Sequence, residues 1–289
     1  MSVLFVAAGD ISWGSSRMRC FWPAPYMGAE VMTIAEWNSA WLADRVPERD
    51  VYIFQKLASA QQIAIIKEQG KRVYWDVCDP SWWFQPAEAR AIAAGVDGVV
   101  ASNPGLAKDF SDWSGKPCHM IPDRLELSHF DEQRKHANEH PVRLIWFGVS
   151  VNRIALLAAN ANLERLRANG FKISLTVMDN QPELPIPYLD FPAVQVMYSW
   201  QNEVGVLAQH DIALLPPYPG PWGDVKSNNK TLSAWACNVP VTQGIDYAEL
   251  EVLVRDVWER ERLGAHGLTQ VQNWRAEKSA REWEEYLRV

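Results

Sequence analysis

The chain has 289 residues, 48% of them apolar and 22% charged, with a net charge of -7. That balance suits a soluble globular protein of one large or two ordinary domains. It excludes global attraction to nucleic acid or to an anionic membrane surface, and leaves only a local basic cleft open. No apolar run approaches the roughly 18 residues of a membrane span, so none is expected. Cys20, Cys78, Cys118 and Cys237 are scattered without CxxC spacing. Free thiols in a reducing cytoplasm are the expected state, and a zinc site is not.

The opening "MSVLFVAAGDISWG" reads as a first strand rather than a signal peptide. Apolar, β-rich runs then recur at 3–8, 30–34, 50–55, 72–77, 98–102 and 118–122, with helical patterns at 59–70 and 86–95 between them. Near-continuous apolar strands separated by helices predict a parallel sheet covered on both faces. The polar run 127–141 ends in a proline and reads as a linker, and a solvated face is expected for its His136 and His140. The pattern then restarts. Strands are expected at 142–148, 172–178, 193–199, 211–217 and 239–244, and helices at 152–170 and 226–237. The tail from 279 onward is amphipathic, with Trp283 and Leu287 on one side. The chain therefore reads as two consecutive Rossmann-like α/β domains, 1–138 and 139–274. Open sheets of this kind take ligands at the carboxyl ends of their strands, so the informative residues follow strands.

After the first strand, Gly14, Ser15 and Ser16 form a small turn, followed by Arg17. Amides and arginine there suit a phosphate or a sugar hydroxyl, and equally a plain βα turn; the GxGxxG spacing is absent. After the fourth strand, "DVCDPSWW" carries Asp76 and Asp79. Either suits a metal, a general base or a sugar hydroxyl, while Asp79 before Pro80 also starts a turn. Asp76, inside an apolar strand, needs a partner or a wet cleft. "SNPGL", 102–106, is explained by helix capping. His119 reads as a packed or capped residue, and the histidines show no metal spacing.

In the second half, "FGVSVNR" places Gly148 for close backbone approach, Ser150 or Asn152 as a cap, and Arg153 in a first helical turn. "DVKSNNKTLSAWACNVPVT", 224–242, starts a helix with two lysines, Lys226 and Lys230. Cations are unfavourable at a helix N-terminus, and four residues apart they repel. Either they are solvated, or an anion sits between them. With Arg153 they would surround one diphosphate.

The stretch 210–242, "HDIALLPP…KSNNKTLSAWACNVPVT", resembles the C-terminal donor-binding motif of GT-B fold glycosyltransferases of the GT4 type. The strand ending at Pro216, the basic set Lys226, Ser227 and Lys230, and the run Val239, Pro240, Val241 carry the match. Weaker echoes are "SSRMR", "VYWDVCDP", "VASNPGL" and "MIPD". The family's glutamate falls on Ser233, and its glycine on Asn238. Serine cannot accept two hydrogen bonds from a ribose as a carboxylate does.

The resemblance implies two Rossmann-like domains facing across a cleft. A C-terminal helix, 275–289, would cross back to the first. It implies a metal-independent, retaining, hexosyltransferase-like enzyme that uses a UDP-sugar or GDP-sugar as substrate and no cofactor. The donor would lie on the second domain, at Gly148, Ser150, Asn152, Pro216, Asp224, Ser227, Asn228 and Ser233. Lys226, Lys230 and Arg153 would stabilise the leaving diphosphate. The acceptor would lie on the first domain near Gly14–Arg17 and Asp76–Asp79, with either aspartate as base if the enzyme inverts. A modified base in DNA is one acceptor, disfavoured by the net charge. The alternatives are a nucleotide-sugar binder that has lost turnover, favoured by Ser233, and a sugar-nucleotide epimerase.

Overall fold

The computed structural model describes residues 1–186 and 189–288, and the chain forms two compact units. The first comprises Met1–Glu126, Asp224–Ser227 and the C-terminal segment from Arg275. The second comprises Leu127–Gly223 and Asn228–Trp274.

The first unit is built on a parallel sheet of β1 (Val3–Ala7), β2 (Glu30–Thr33), β3 (Val51–Gln55), β4 (Arg72–Val77), β5 (Gly98–Ala101) and β6 (His119–Met120), in the order β2-β1-β3-β4-β5-β6. Its central strands are apolar apart from Gln55, Arg72 and Asp76, because both faces are covered. Leu4, Val6, Phe54 and Trp75 pack on one side with Trp37, Ile63 and Phe110. Val3, Phe5, Ile53 and Tyr74 pack on the other with Trp283 and Leu287 of the helix Ala276–Arg288. Trp283 meets Phe5 edge-on at 5.9 Å, and Arg124 holds the helix through two 2.7 Å bonds to Glu282. His119 was expected to be packed or capped; it is exposed, and its ring stacks on Tyr286 at 4.4 Å. The tail expectation extends to Val289, which lies outside the described residues.

The second unit has a parallel sheet of β7 (Val142–Phe147), β8 (Ile173–Asp179), β9 (Ala193–Met197), β10 (Ile212–Leu214) and β11 (Val241–Thr242), in the order β11-β10-β7-β8-β9. Each sheet reverses its strand order once, between β1 and β3 and between β7 and β10. Those switch points are where an open α/β sheet leaves a crevice at the carboxyl ends of its strands.

Three expectations are corrected. The run 127–141 is no solvated linker but part of the second unit, so the units divide after residue 126 rather than 138. Arg134 binds buried Asp211 at 2.6 and 2.9 Å, its N–H donates to the Cys237 carbonyl at 2.7 Å, and His136 Nε2 meets the Asn238 carbonyl at 2.9 Å. The expected helix 152–170 starts as a 3-10 turn, Ser150–Leu156, before the α-helix Leu157–Ala168. The expected helix 226–237 is only Asn229–Ala236, so Lys226 lies outside it and shares no helix face with Lys230.

Candidate functional site

The second sheet reverses between β7 and β10, and Gly148 follows β7 directly. Its φ of 153° is one that side chains rarely adopt. A Cβ there would lie 2.5 Å from Lys230 Nζ. Lys230 stands in the first turn of Asn229–Ala236, and its ammonium lies 4.7 Å from the Trp146 ring centroid. A ring face, a bare backbone and a helix start thus meet around one ammonium. That arrangement suits the approach of an anion, with the aromatic face holding the cation in place.

The other residues expected on this side are placed differently. Arg153 is turned inward and gives Asp179 two bonds, Nε to Oδ2 at 2.5 Å and Nη2 to Oδ1 at 2.7 Å. It also donates to the Leu184 carbonyl at 2.8 Å and to the Gln181 carbonyl, so it clamps the loop after β8 and is not aimed at a diphosphate. The cause is Asp179, a fully buried carboxylate that requires a cation. Ser150 N donates to Asn180 Oδ1 at 2.8 Å and its hydroxyl donates to Gln181 Oε1, while Asn152 N donates to the Val149 carbonyl at 2.9 Å. A cavity of about 330 Å³ opens beside them, apolar apart from Ser150, Arg153 and Gln181. Ser233 is 1% exposed on the inward side of its helix, so its hydroxyl is not presented to a ribose. Pro216 is buried after β10. Asn228 occupies the N-cap position without a side-chain cap bond.

Asp224, Ser227 and Lys226 belong to the first unit. Lys226 Nζ lies 3.4 Å from Asp79 Oδ1, and Lys56 Nζ lies 2.5 Å from Asp79 Oδ2. One carboxylate is therefore bracketed by two ammonium groups, all three between a quarter and a third exposed. Burial pushes the Lys226 ammonium below the ordinary lysine range against the opposing pull of Asp79. Lys56 was not singled out in the sequence. It follows β3 at the β1/β3 switch with φ of 60°, a left-handed conformation that costs a non-glycine residue about 1–2 kcal/mol. Two bonds hold it there, Lys56 N to the Asp76 carbonyl at 2.9 Å and Trp75 Nε1 to the Lys56 carbonyl at 3.0 Å. A cation directly after the strand "VYIFQ" was the available signal.

Asp76 is not a reachable base. It is fully buried and takes both Nε, at 3.0 Å, and Nη2 of buried Arg19, whose Nη1 also reaches Asp123 at 3.3 Å. Burial raises the Asp76 carboxyl above its usual range, and Arg19 works against that shift. Gly14, Ser15 and Ser16, expected as a flexible turn, instead form a helical turn, Gly14–Ser16, continued by the helical run Arg17–Phe21, and it is likewise occupied from within. The Ser16 hydroxyl accepts from Gly9 N at 3.0 Å and donates to Gln55 at 3.2 Å. Arg17 is 1% exposed, donates to the Ile11 and Ser12 carbonyls, and stacks on Trp22. Its pairings leave Gly14 and Ser15, both half-buried, as the part of that turn open to a ligand. Burial pushes the Cys78 thiol, beside Lys56 and Asp79, up to about 12. Among the described residues no group of three or more His, Cys, Asp or Glu is placed to hold a metal ion. No helix among them is long and apolar enough to cross a membrane.

No family model matches the chain, and no curated protein is significantly similar to it. Solved structures are similar in fold. An alpha-glucosyltransferase in complex with UDP superposes with a TM-score of 0.69 at 9% identity, covering 99% of this chain and 98% of that one. An alpha-glucosyltransferase in complex with UDP and a 13-mer DNA containing a HMU base gives 0.62 at 11% identity, covering 97% and 94%. The N-terminal domain of Candida albicans trehalose-6-phosphate phosphatase gives 0.59 at 8% identity, covering 86% and 72%. At such identities the likeness is one of fold: this chain has the two Rossmann-like domains of the GT-B glycosyltransferase structures.

Proposed function

We propose that the protein is a glycosyltransferase that moves a sugar from a nucleotide-diphosphate sugar, a UDP-sugar or GDP-sugar, to an acceptor hydroxyl. The observation that carries this reading is the Lys230 ammonium lying against Gly148 at the β7/β10 switch point. A diphosphate leaving group accumulates negative charge as the bond between its oxygen and the sugar's anomeric carbon breaks and the electron pair stays on that oxygen. A fixed ammonium and helix amides at that place stabilise the transition state more than the bound donor. The acceptor hydroxyl is assigned to the first unit, at Asp79 with Lys56 and Lys226. In the retaining, GT4-like scheme the departing diphosphate assists loss of the hydroxyl proton, and Asp79 only orients the hydroxyl. The cation assigned to the leaving group is an ammonium, so no step in this scheme calls for a metal. Its free thiols, with Cys20 and Cys237 buried, suit the cytoplasm.

A DNA acceptor is favoured by the similarity to a structure described with a HMU base in DNA, and opposed by the net charge of -7. The burial of Ser233 where the family pattern has glutamate favours a binder that has lost turnover. One experiment separates these readings. UDP-glucose and GDP-sugars are incubated with the protein alone, with small-molecule acceptors, and with a duplex containing an HMU base. Nucleotide release and glycosylated product support transfer. Nucleotide binding without release leaves the binder, and isomerised donor leaves the epimerase.

A further inference from the structure

The motif "SNPGL" caps a helix, and in the structure it has a second task. Asn103 Oδ1 accepts from Leu106 N at 2.9 Å, the expected cap on Pro104–Ser114. Asn103 Nδ2, on the other arm of the amide, donates to the Val225 carbonyl at 2.8 Å. Gly105 lies under the same segment: a Cβ there would stand 2.2 Å from the Asp224 carbonyl oxygen. Val225 itself is 4% exposed and part of the first unit's core with Leu106 and Phe110. Four residues that leave the second unit's sequence are thus held in the first unit by a buried side chain, an amide bond and a close backbone contact. The next residue along, Lys226, is the one whose ammonium meets Asp79.

We propose that Asn103 and Gly105 are positioning residues for sugar transfer: they dock Asp224–Ser227 on the first unit and so hold Lys226 against Asp79. The inference rests on the glycosyltransferase reading for its effect on turnover, but the docking stands apart from it. Two substitutions separate docking from folding. Asn103→Ser keeps an oxygen that caps the helix and removes the arm that reaches Val225. Gly105→Ala keeps a helix-forming residue and drives a methyl group into the Asp224 backbone carbonyl, so the segment must shift. A merely structural role would make activity follow stability. The positioning role predicts turnover that falls further than stability does: Asn103→Ser melts close to wild type, Gly105→Ala melts lower because its methyl group meets backbone beside the core residue Val225, and both lose turnover alike.

The test combines limited proteolysis with kinetics. In the wild type, trypsin cuts slowly after Lys226, because the segment is docked through its carbonyls and Val225, and both variants speed that cut. UDP release from UDP-glucose falls about 10- to 100-fold in kcat, the scale of a group misplaced by about 1 Å, while KM for UDP-glucose is unchanged. In a Lys226→Ala background, Asn103→Ser adds little further loss. The proposal is overturned if trypsin cuts the wild type rapidly after Lys226, if either variant keeps wild-type resistance and kcat, or if the losses from Asn103→Ser and Lys226→Ala add in full. A wild type that protects the segment but neither binds nor turns over any sugar nucleotide refutes the glycosyltransferase reading and, with it, the positioning role, leaving the docking as a feature of the fold.

Discussion

Arg153 and Asp79 show how much a single partner decides. Both follow strands at carboxyl ends, and both looked equally suited to a substrate. Arg153 is spent on a carboxylate buried to 0% exposure, whereas Asp79 and its two lysines stay partly open. Removing one member of a buried pair leaves an uncompensated charge, at a cost of about 3–5 kcal/mol. Asp179→Asn should therefore lower the urea unfolding midpoint sharply. If Arg153 were a ligand-binding cation held ready for a diphosphate, Asp179→Asn would cost little stability. Two histidines give a second test. Burial holds His136 and His210 below the ordinary histidine value of about 6.5. The unfolded chain then binds more protons than the folded one just beneath that value. Stability from these groups is present at neutral pH, falls as pH drops through about 6.5, and levels off below their folded values. Melting followed from pH 8 to about pH 5 should show that fall setting in below about 6.5, and His136→Gln with His210→Gln should flatten it.

Elements were legible in the sequence where burial is periodic. β1, β3 and β4 read as continuous apolar runs because both faces are covered, and the tail reads as a helix because Trp283 and Leu287 recur four apart. That helix seals the face of the first sheet that carries Phe5 and Tyr74. Trp283→Ala removes one of the largest fully buried side chains and should cost about 3–5 kcal/mol in urea unfolding. A loss under 1 kcal/mol would show the helix to be loosely docked. Element starts were harder to read. Lys226 was drawn into the helix of Lys230 by spacing alone, but Val225 enters the first unit's core and the helix waits until Asn229. A single valine among polar residues carries no periodic signal. The candidate site was legible only in part for the same reason. Gly148 and Lys230 announce themselves by position, but the pairings Arg19–Asp76 and Arg153–Asp179 join residues 57 and 26 apart. Tertiary structure alone decides which charges are already satisfied.

For the whole molecule, the chain passes from one unit to the other after residues 126, 223, 227 and 274. The last of these was expected, and the excursion of 224–227 was not. Its effect is to divide the two lysines of "KSNNK" between the units, Lys226 at Asp79 and Lys230 at Gly148. The proposed transfer uses them separately, one beside the acceptor hydroxyl and one beside the leaving diphosphate. The most direct test of that claim is thermal unfolding of wild type, Lys230→Ala and Lys226→Ala with UDP, GDP and their sugar conjugates. A ligand bound only to the folded state stabilises it by about 2.7 kcal/mol at a hundred times its dissociation constant. The account predicts that one diphosphate nucleotide raises the melting temperature of the wild type and of Lys226→Ala, and that Lys230→Ala loses most of the shift. Equal shifts in all three proteins, or no shift with any nucleotide, would contradict it.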